Sequence, residues 1–340
     1  MTDGILNLYQ NINLDSGPVD FTGTSDIELQ AVIILDTESG NDGAGGSVNF
    51  ATAGNIDGTF DFTINTATTN VGSTGGTVST GNMGQNTILQ SLTVDSTGAG
   101  GDGAVTFGGA ISTIDGISII GSGDIHLAGT YDTSNNAWDL SGNSVILDAA
   151  TTIITGTAKV TIDQLTGNTN DLTLTADDID FTAGGGSIDG TGSLVFRPSA
   201  TGNAFGVGSG QIITDTEITE LTTNFTGITI GYAGGTGTVT VNTVTFLSPV
   251  TIQSAGVGGK VDINGTITGN DDATVDINGT GIDLQSGITT AGNTISFTGP
   301  VTLTGNVALD TGAGANISFA DTATVRSEEH TSELQSLLII

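Results

Sequence analysis

The chain has no cysteine, only four prolines and only four basic residues, Lys159, Arg197, Lys260 and Arg326, in 340 positions. Without cysteine there is no disulfide framework, no Cys-based zinc site and no thiol nucleophile. Against the four basic residues stand 36 Asp and Glu, giving a net charge of -32. That balance opposes binding to nucleic acid or to an anionic membrane surface, because both need Lys and Arg to neutralise phosphate. No stretch approaches the roughly 18 consecutive apolar residues that cross a bilayer. The opening Met1-Thr-Asp-Gly-Ile-Leu-Asn-Leu8 lacks a basic segment leading into an apolar one. Neither a cleavable leader nor direct membrane insertion is therefore expected.

What the chain has in quantity is glycine, 54 residues, among short apolar triplets. Val19-Asp-Phe21, Ile27-Glu-Leu29, Val48-Asn-Phe50, Leu92-Thr-Val94, Val105-Thr-Phe107 and Ile179-Asp-Phe181 all alternate apolar, polar, apolar. That is the period of a strand with one buried face. Gly, Asn, Asp, Ser and Thr fill the intervals and supply turns. The high net charge argues for disorder, but 36% hydrophobic residues in regular short runs argue against it. Two to three strands in every twenty or so residues predict an all-β chain, a parallel β-helix with about 20 residues per rung. An antiparallel sandwich would also place turns at about this interval. Homologous units along one chain, and Thr and Asn recurring in turns where they can stack, favour the solenoid.

The repeats have a defined shape. Leu309-Asp-Thr passes through a Gly-rich loop to Ile317-Ser-Phe319. Leu35-Asp-Thr37 reaches Val48-Asn-Phe50 in the same way, and Val94-Asp-Ser96 reaches Val105-Thr-Phe107. Fixed strand ends with an elastic loop are the mark of stacked repeats. Val261-Asp-Ile-Asn-Gly-Thr266 recurs identically as Val275–Thr280. Pro249 and Pro300 stand where a strand would begin, a place where the missing N–H is harmless. Thr214-Asp-Thr-Glu217 reads as a capping box and predicts one short helical insertion near 215–222.

Gly192-Ser-Leu-Val-Phe-Arg-Pro-Ser199, Phe205-Gly-Val-Gly208, Ile228-Thr-Ile-Gly231, Gly237-Thr-Val-Thr-Val241 and Val244-Thr-Phe246 resemble segments of the very large filamentous-haemagglutinin-like repeat proteins of Gram-negative bacteria. The Leu309–Phe319 unit and its echoes resemble the same proteins. The resemblance is clearest over 90–325 and implies a single solenoid region over 1–325. It further implies a stalk or passenger segment of an adhesin that is secreted or displayed at the cell surface. The route would be an autotransporter or two-partner system in the outer membrane. Expected partners are that secretion machinery and the glycans or proteins of host or neighbouring cells. Arg326-Ser-Glu-Glu-His-Thr-Ser-Glu-Leu-Gln-Ser336 breaks with this pattern: it holds three of the chain's seven Glu and one of its two His. It resembles a translated sequencing adapter, so 326–340 is expected to be a non-native tail on a fragment of a longer protein.

Candidate sites are few. Asp177-Asp178 and Asp271-Asp272 are paired carboxylates, the groups with which β-helical polysaccharide hydrolases work. Adjacent strand residues point to opposite faces, however, and a solvated turn is the ordinary explanation. A lyase would need basic groups, and Lys159, Arg197 and Lys260 are widely spaced. His126 alternates with Ile125 and Leu127 and is expected to face outward without a partner. Trp138 and Tyr131 could stack against a sugar, but core packing is expected. The loops Gly40–Gly46 and Gly100–Gly103 carry Asp among Gly, as calcium-binding nonapeptide repeats do, but no nine-residue register recurs. Thr238-Val-Thr240 raises an ice-binding face, which variable rung length opposes. The expectation is a non-enzymatic chain with no catalytic, cofactor-binding or metal residue. A polysaccharide hydrolase or lyase is the alternative, and a calcium- or ice-binding repeat protein a further one.

Overall fold

The structure is a computed structural model describing residues 4–182, 184–312, 314–320, 324–327 and 337–339. It is nearly all β: parallel strands stack into a β-solenoid with roughly 22 residues per turn. The chain divides into two compact units, Met1–Asn170 and Asp171–Ile340.

In the first unit most turns lay down short strands on three faces, and the last turns run into the long strands Trp138–Leu147 and Thr151–Thr166. One face stacks Ile33–Asp36, Asp61–Asn65, Ser91–Asp95 and Ile117–Ile120, each parallel to the one before. A second stacks Val48–Asn49, Val78–Thr80, Val105–Phe107 and Ile125–Leu127. The third passes from Ile27–Leu29 through Ile56–Asp57 and Met83 to Ile111–Ser112 and Thr130–Asp132. The second unit repeats the scheme with Val250–Ser254, Val275–Gly279 and Ile295–Thr298 on one face, Lys260–Ile263, Ile282–Leu284 and Val301–Leu303 on another, and Val244–Phe246, Ile267–Gly269 and Ile288–Thr290 on the third.

The triplet pattern explains the core. Outer residues of each triplet point inward and stack on their equivalents in the next turn, as Phe62 does on Leu92 and Ile64 on Val94, all fully buried. Val and Ile suit this because their branched Cβ packs well on a pleated surface. Each such side chain contributes roughly 1.5–3 kcal/mol by burial. Phe107, Tyr131 and Trp138 form a continuous aromatic cluster inside the first unit, with successive ring centroids 6.1 and 5.4 Å apart. Trp138 and Tyr131 are thus core residues, as expected, and not a surface platform.

Turn length is less even than about twenty. Val105 pairs with Ile125, twenty residues on, but Val48 pairs with Val78, thirty residues on. Leu194 pairs with Ile228, thirty-four residues on. The excess sits in loops. The longest turn contains the helix Asp215–Thr219, whose N-cap Thr214 and Glu217 form the expected capping box; the helix ends before residue 222. The identical hexapeptides lie on different faces, Val261–Ile263 in one sheet and Val275–Gly279 in another, so their spacing is a fraction of a turn. Val250–Ser254 and Val301–Leu303 begin directly after Pro249 and Pro300. Of the expected tail 326–340, residues 328–336 and 340 lie outside the described residues. Val325–Ser327 pairs with Val301–Leu303, and Leu337–Ile339 with residues of Val307–Asp310.

The Asp-Thr unit is a corner staple. Asp36 Oδ1 accepts the N–H of Glu38, and Asp95 Oδ1 that of Thr97, so each carboxylate closes its own turn. The next hydroxyl is buried and crosses the loop: Thr37 Oγ1 donates to the Gly46 carbonyl at 2.8 Å and Ser96 Oγ to that of Gly103 at 3.0 Å. Asn65-Thr66 makes a further copy, with Thr66 Oγ1 donating to the Gly76 carbonyl at 2.7 Å. In the second unit Thr311 reaches Ala315 in the same way. The receiving glycines stack without room for a side chain. A Cβ on Gly76 would lie 2.3 Å from the Gly46 carbonyl oxygen, and one on Gly103 would lie 2.1 Å from that of Gly76.

Two substitutions and one control check the staple by chemical denaturation. Thr66→Val keeps the shape but leaves a buried carbonyl without this donor, and is expected to cost about 1–3 kcal/mol, whereas Thr69→Val on the exposed loop should change stability by less than about 0.5 kcal/mol. Gly76→Ala should cost more than Thr66→Val, since backbone must shift.

Candidate functional site

Of the carboxylates singled out from the sequence, Asp177 holds the turn at Ser199. Asp177 Oδ1 accepts the Ser199 N–H at 2.7 Å, and its Oδ2 accepts the Ser199 hydroxyl at 2.8 Å. Asp178 is exposed next to it. Asp271 sits in a left-handed turn, φ +55°, where Asp and Asn are tolerated, and its carbonyl accepts from the Asn293 side chain. Neither pair is joined by a third carboxylate into a compact group among the described residues.

The basic residues are also occupied. Lys260 Nζ bridges Asp262 at 2.8 Å and Asp283 at 2.6 Å across successive turns of one face, and these partners raise its pKa. The Arg197 guanidinium lies over the Tyr232 ring, 5.2 Å from its centroid. His126 faces outward as expected, but it has a partner: Nδ1 lies 3.1 Å from Asp148 on the following turn. Sequence spacing hid this pair because the two residues are 22 positions apart. Thr238 and Thr240 are followed on their face by Lys260 and Asp262, so this stretch does not extend into a threonine row.

The Gly-rich loops hold one acidic convergence that the sequence analysis did not assemble. Asp15, Glu38 and Asp42 bring carboxylate oxygens within 4.8 Å of one another. Glu38 is 1% exposed. Its Oε1 accepts the N–H groups of Asp42 and Gly43, each at 2.9 Å, and its Oε2 accepts the Ser16 hydroxyl. These donors hold its pKa below the ordinary glutamate value, the Ser16 bond contributing most. They engage both oxygens of Glu38, which thereby caps the loop. In the other loop, Asp102 Oδ1 accepts the Gly98 N–H at 2.9 Å. The available signal was the scarcity of glutamate: outside the tail there are four. Glu38 closes a loop, Glu217 closes the helix and Glu220 is buried beside Ser187.

A second feature comes from the topology. On the face that carries Ser91–Asp95 and Ile117–Ile120, the ladder stops at Ile117–Ile120. The next strand in the chain on that side, Trp138–Leu147, pairs onward with Thr151–Thr166. Among the described residues no ladder joins Ile117–Ile120 to Trp138–Leu140. The other two faces stay continuous through the same turn, Ile111 with Tyr131 and Ile125 with Val145. The break coincides with the largest core side chain, Trp138, whose Nε1 is buried without a hydrogen-bond partner. A crevice of about 500 Å³ opens there, lined by Ser91, Thr93, Asp115, Ser118, Asp139 and Asn143 among others. Asp115 accepts from Gln90 Nε2, and Asp139 from the Ser141 N–H.

No protein family, no curated protein and no solved structure matches the chain.

The Glu38 cap carries a pH signature. A lowered folded-state pKa means that its stabilisation is present above the unfolded glutamate value and is lost as pH falls through the folded one. Amide-exchange protection of Asp42 and Gly43 should hold near neutrality and collapse in acid before that of the core strand Ser91–Asp95. Equal loss at all these sites would remove the assignment.

Proposed function

We propose that this chain is a non-catalytic stalk segment of a secreted bacterial surface adhesin, of the filamentous-haemagglutinin-like kind that its repeats resemble. The observation that carries the reading is the use made of the polar residues. Asp36, Asn65 and Asp95 close turns, Thr37, Thr66 and Ser96 staple loops, and Asp177 of the paired aspartates caps backbone. Side chains that could have served chemistry instead hold the shape of a repetitive scaffold, which is what a spacer requires. The strong negative charge suits a solvated cell-surface layer and disfavours nucleic acid and anionic lipid as partners. The partners in this reading are the outer-membrane export machinery and glycans or proteins on host or neighbouring cells. The cell is Gram-negative.

Long-read sequencing of the locus tests the reading together with labelling of intact cells by an antibody against the second unit. The expected outcome is a frame that continues into more Gly/Thr repeats and carries an export signal, with antibody reaching unbroken cells. Label that appears only after lysis, or a frame with no export signal, would sink it. The specific rival is a polysaccharide-active β-helix, because the crevice holds two carboxylates, Asp115 and Asp139, beside several hydroxyls.

A further inference from the structure

The crevice lies where the ladder is interrupted, so a cavity and unpaired backbone meet in one place. In a parallel ladder alternate residues direct both backbone groups to alternate neighbours. The Leu92 N–H donates to the Gly116 carbonyl and the Ser96 N–H to the Ile120 carbonyl. Gly116, Ser118 and Ile120 therefore serve the Ser91–Asp95 strand. Ile117 and Ile119 direct their N–H and C=O groups the other way, into the break. Both residues line the crevice, facing Ala137, Asp139 and Ser141. Backbone groups withdrawn from a ladder need another partner.

The lining defines the ligand. It offers the side chains of Thr93, Ser118 and Ser141, two carboxylates and the free backbone groups, but no Lys, Arg or His, while Ser91 is engaged with Asp61 and Asn143 with Ser122 and the Ser141 carbonyl. An anion would find no counter-charge in a chain of net charge -32. A peptide strand would find a free edge only four residues long, Ile117–Ile120, too short to anchor it. Asp115 and Asp139 each accept one internal donor on one oxygen, which orients the carboxylate and leaves its other oxygen to accept from a ligand hydroxyl. Two carboxylates are fewer than the roughly six to eight oxygen ligands a calcium ion takes. A compact molecule with many donors and acceptors and apolar C–H faces is complementary to this wall, with Ile119 and Ala137 beside the polar groups. The volume lies within the roughly 300–1,000 Å³ typical of small-molecule sites. We infer that the break between Ile117–Ile120 and Trp138–Leu140 is a binding site for a neutral carbohydrate, held by the free backbone groups of Ile117 and Ile119 and by the carboxylates of Asp115 and Asp139. The inference names a glycan contact within the adhesin reading and rests on it for its biological sense, though not for its geometry.

The test is an amide-resolved NMR titration of the protein with cellotriose, with trigalacturonate and spermidine as anionic and cationic comparisons. Cellotriose should shift the amides of Ile117, Ile119 and Ala137 first and saturably. Asp139→Ala should weaken this binding at least tenfold. Ser118→Tyr, which places a ring in the crevice from an exposed position, should abolish it while leaving the core amides unmoved. No shift up to 100-fold molar excess, shifts scattered over other faces, or preferential saturation by spermidine or trigalacturonate would each overturn the site. Cleavage of bound cellotriose would support the site and overturn the non-catalytic reading. Failure of cell-surface labelling would remove the adhesin reading while leaving the titration intact.

Discussion

The constraint on which everything else depends is that the chain must arrive at the same register once per turn. A parallel ladder fixes the strands, but nothing in the ladder fixes the loops that return to it. That task falls to the buried hydroxyls. Thr37, Thr66 and Ser96 each lie at the start of a loop and donate to the carbonyl at its far end. The loops between can lengthen because only their two ends are held. Glycine is required where those ends stack, since the Gly46, Gly76 and Gly103 backbones lie nearly in contact. The composition follows from this geometry: Thr and Ser to clamp, Gly to allow the approach, Asp and Asn to close the corner.

This division of labour decides how the acidic surface is to be read. A carboxylate here is first an acceptor for backbone N–H groups that the turns leave unpaired. Asp57, buried, receives the N–H groups of Asn86 and Thr87 from the following turn, and Asp171 receives that of Ser193. Carboxylates so employed are oriented by the fold. Asp139, which holds the Ser141 N–H, and Asp115, which accepts from Gln90, are oriented in the same way, but they border an opening.

Much of the architecture was legible in the sequence, because period-two triplets name their own buried faces. Leu92, Val94, Val105 and Phe107 are buried as the alternation requires. The capping box at Thr214 was readable because all its partners are local. What escaped was whatever depends on neighbours a turn away. The pairs His126–Asp148 and Lys260–Asp283 join residues about a turn apart, and turn length varies too widely to be counted in advance. The fourth copy of the staple was hidden by Asn65 in place of Asp and by Thr80 where the others end in Phe. The ladder break has no sequence signature, since Ile117–Ile120 reads as an ordinary strand.

The placement of the repeats bears on how such a gene can change length. Leu35 stacks on Ile64, and Ile64 on Val94, so the Leu35 and Val94 copies occupy one corner two turns apart. Recombination between their coding segments removes or adds whole turns and returns the chain to a matching register. Recombination between the identical hexapeptides at Val261 and Val275 would instead join one face to another and leave every following strand out of step. Similarity at the DNA level is therefore a poor guide to viable rearrangement; the productive crossover points are those that share a corner.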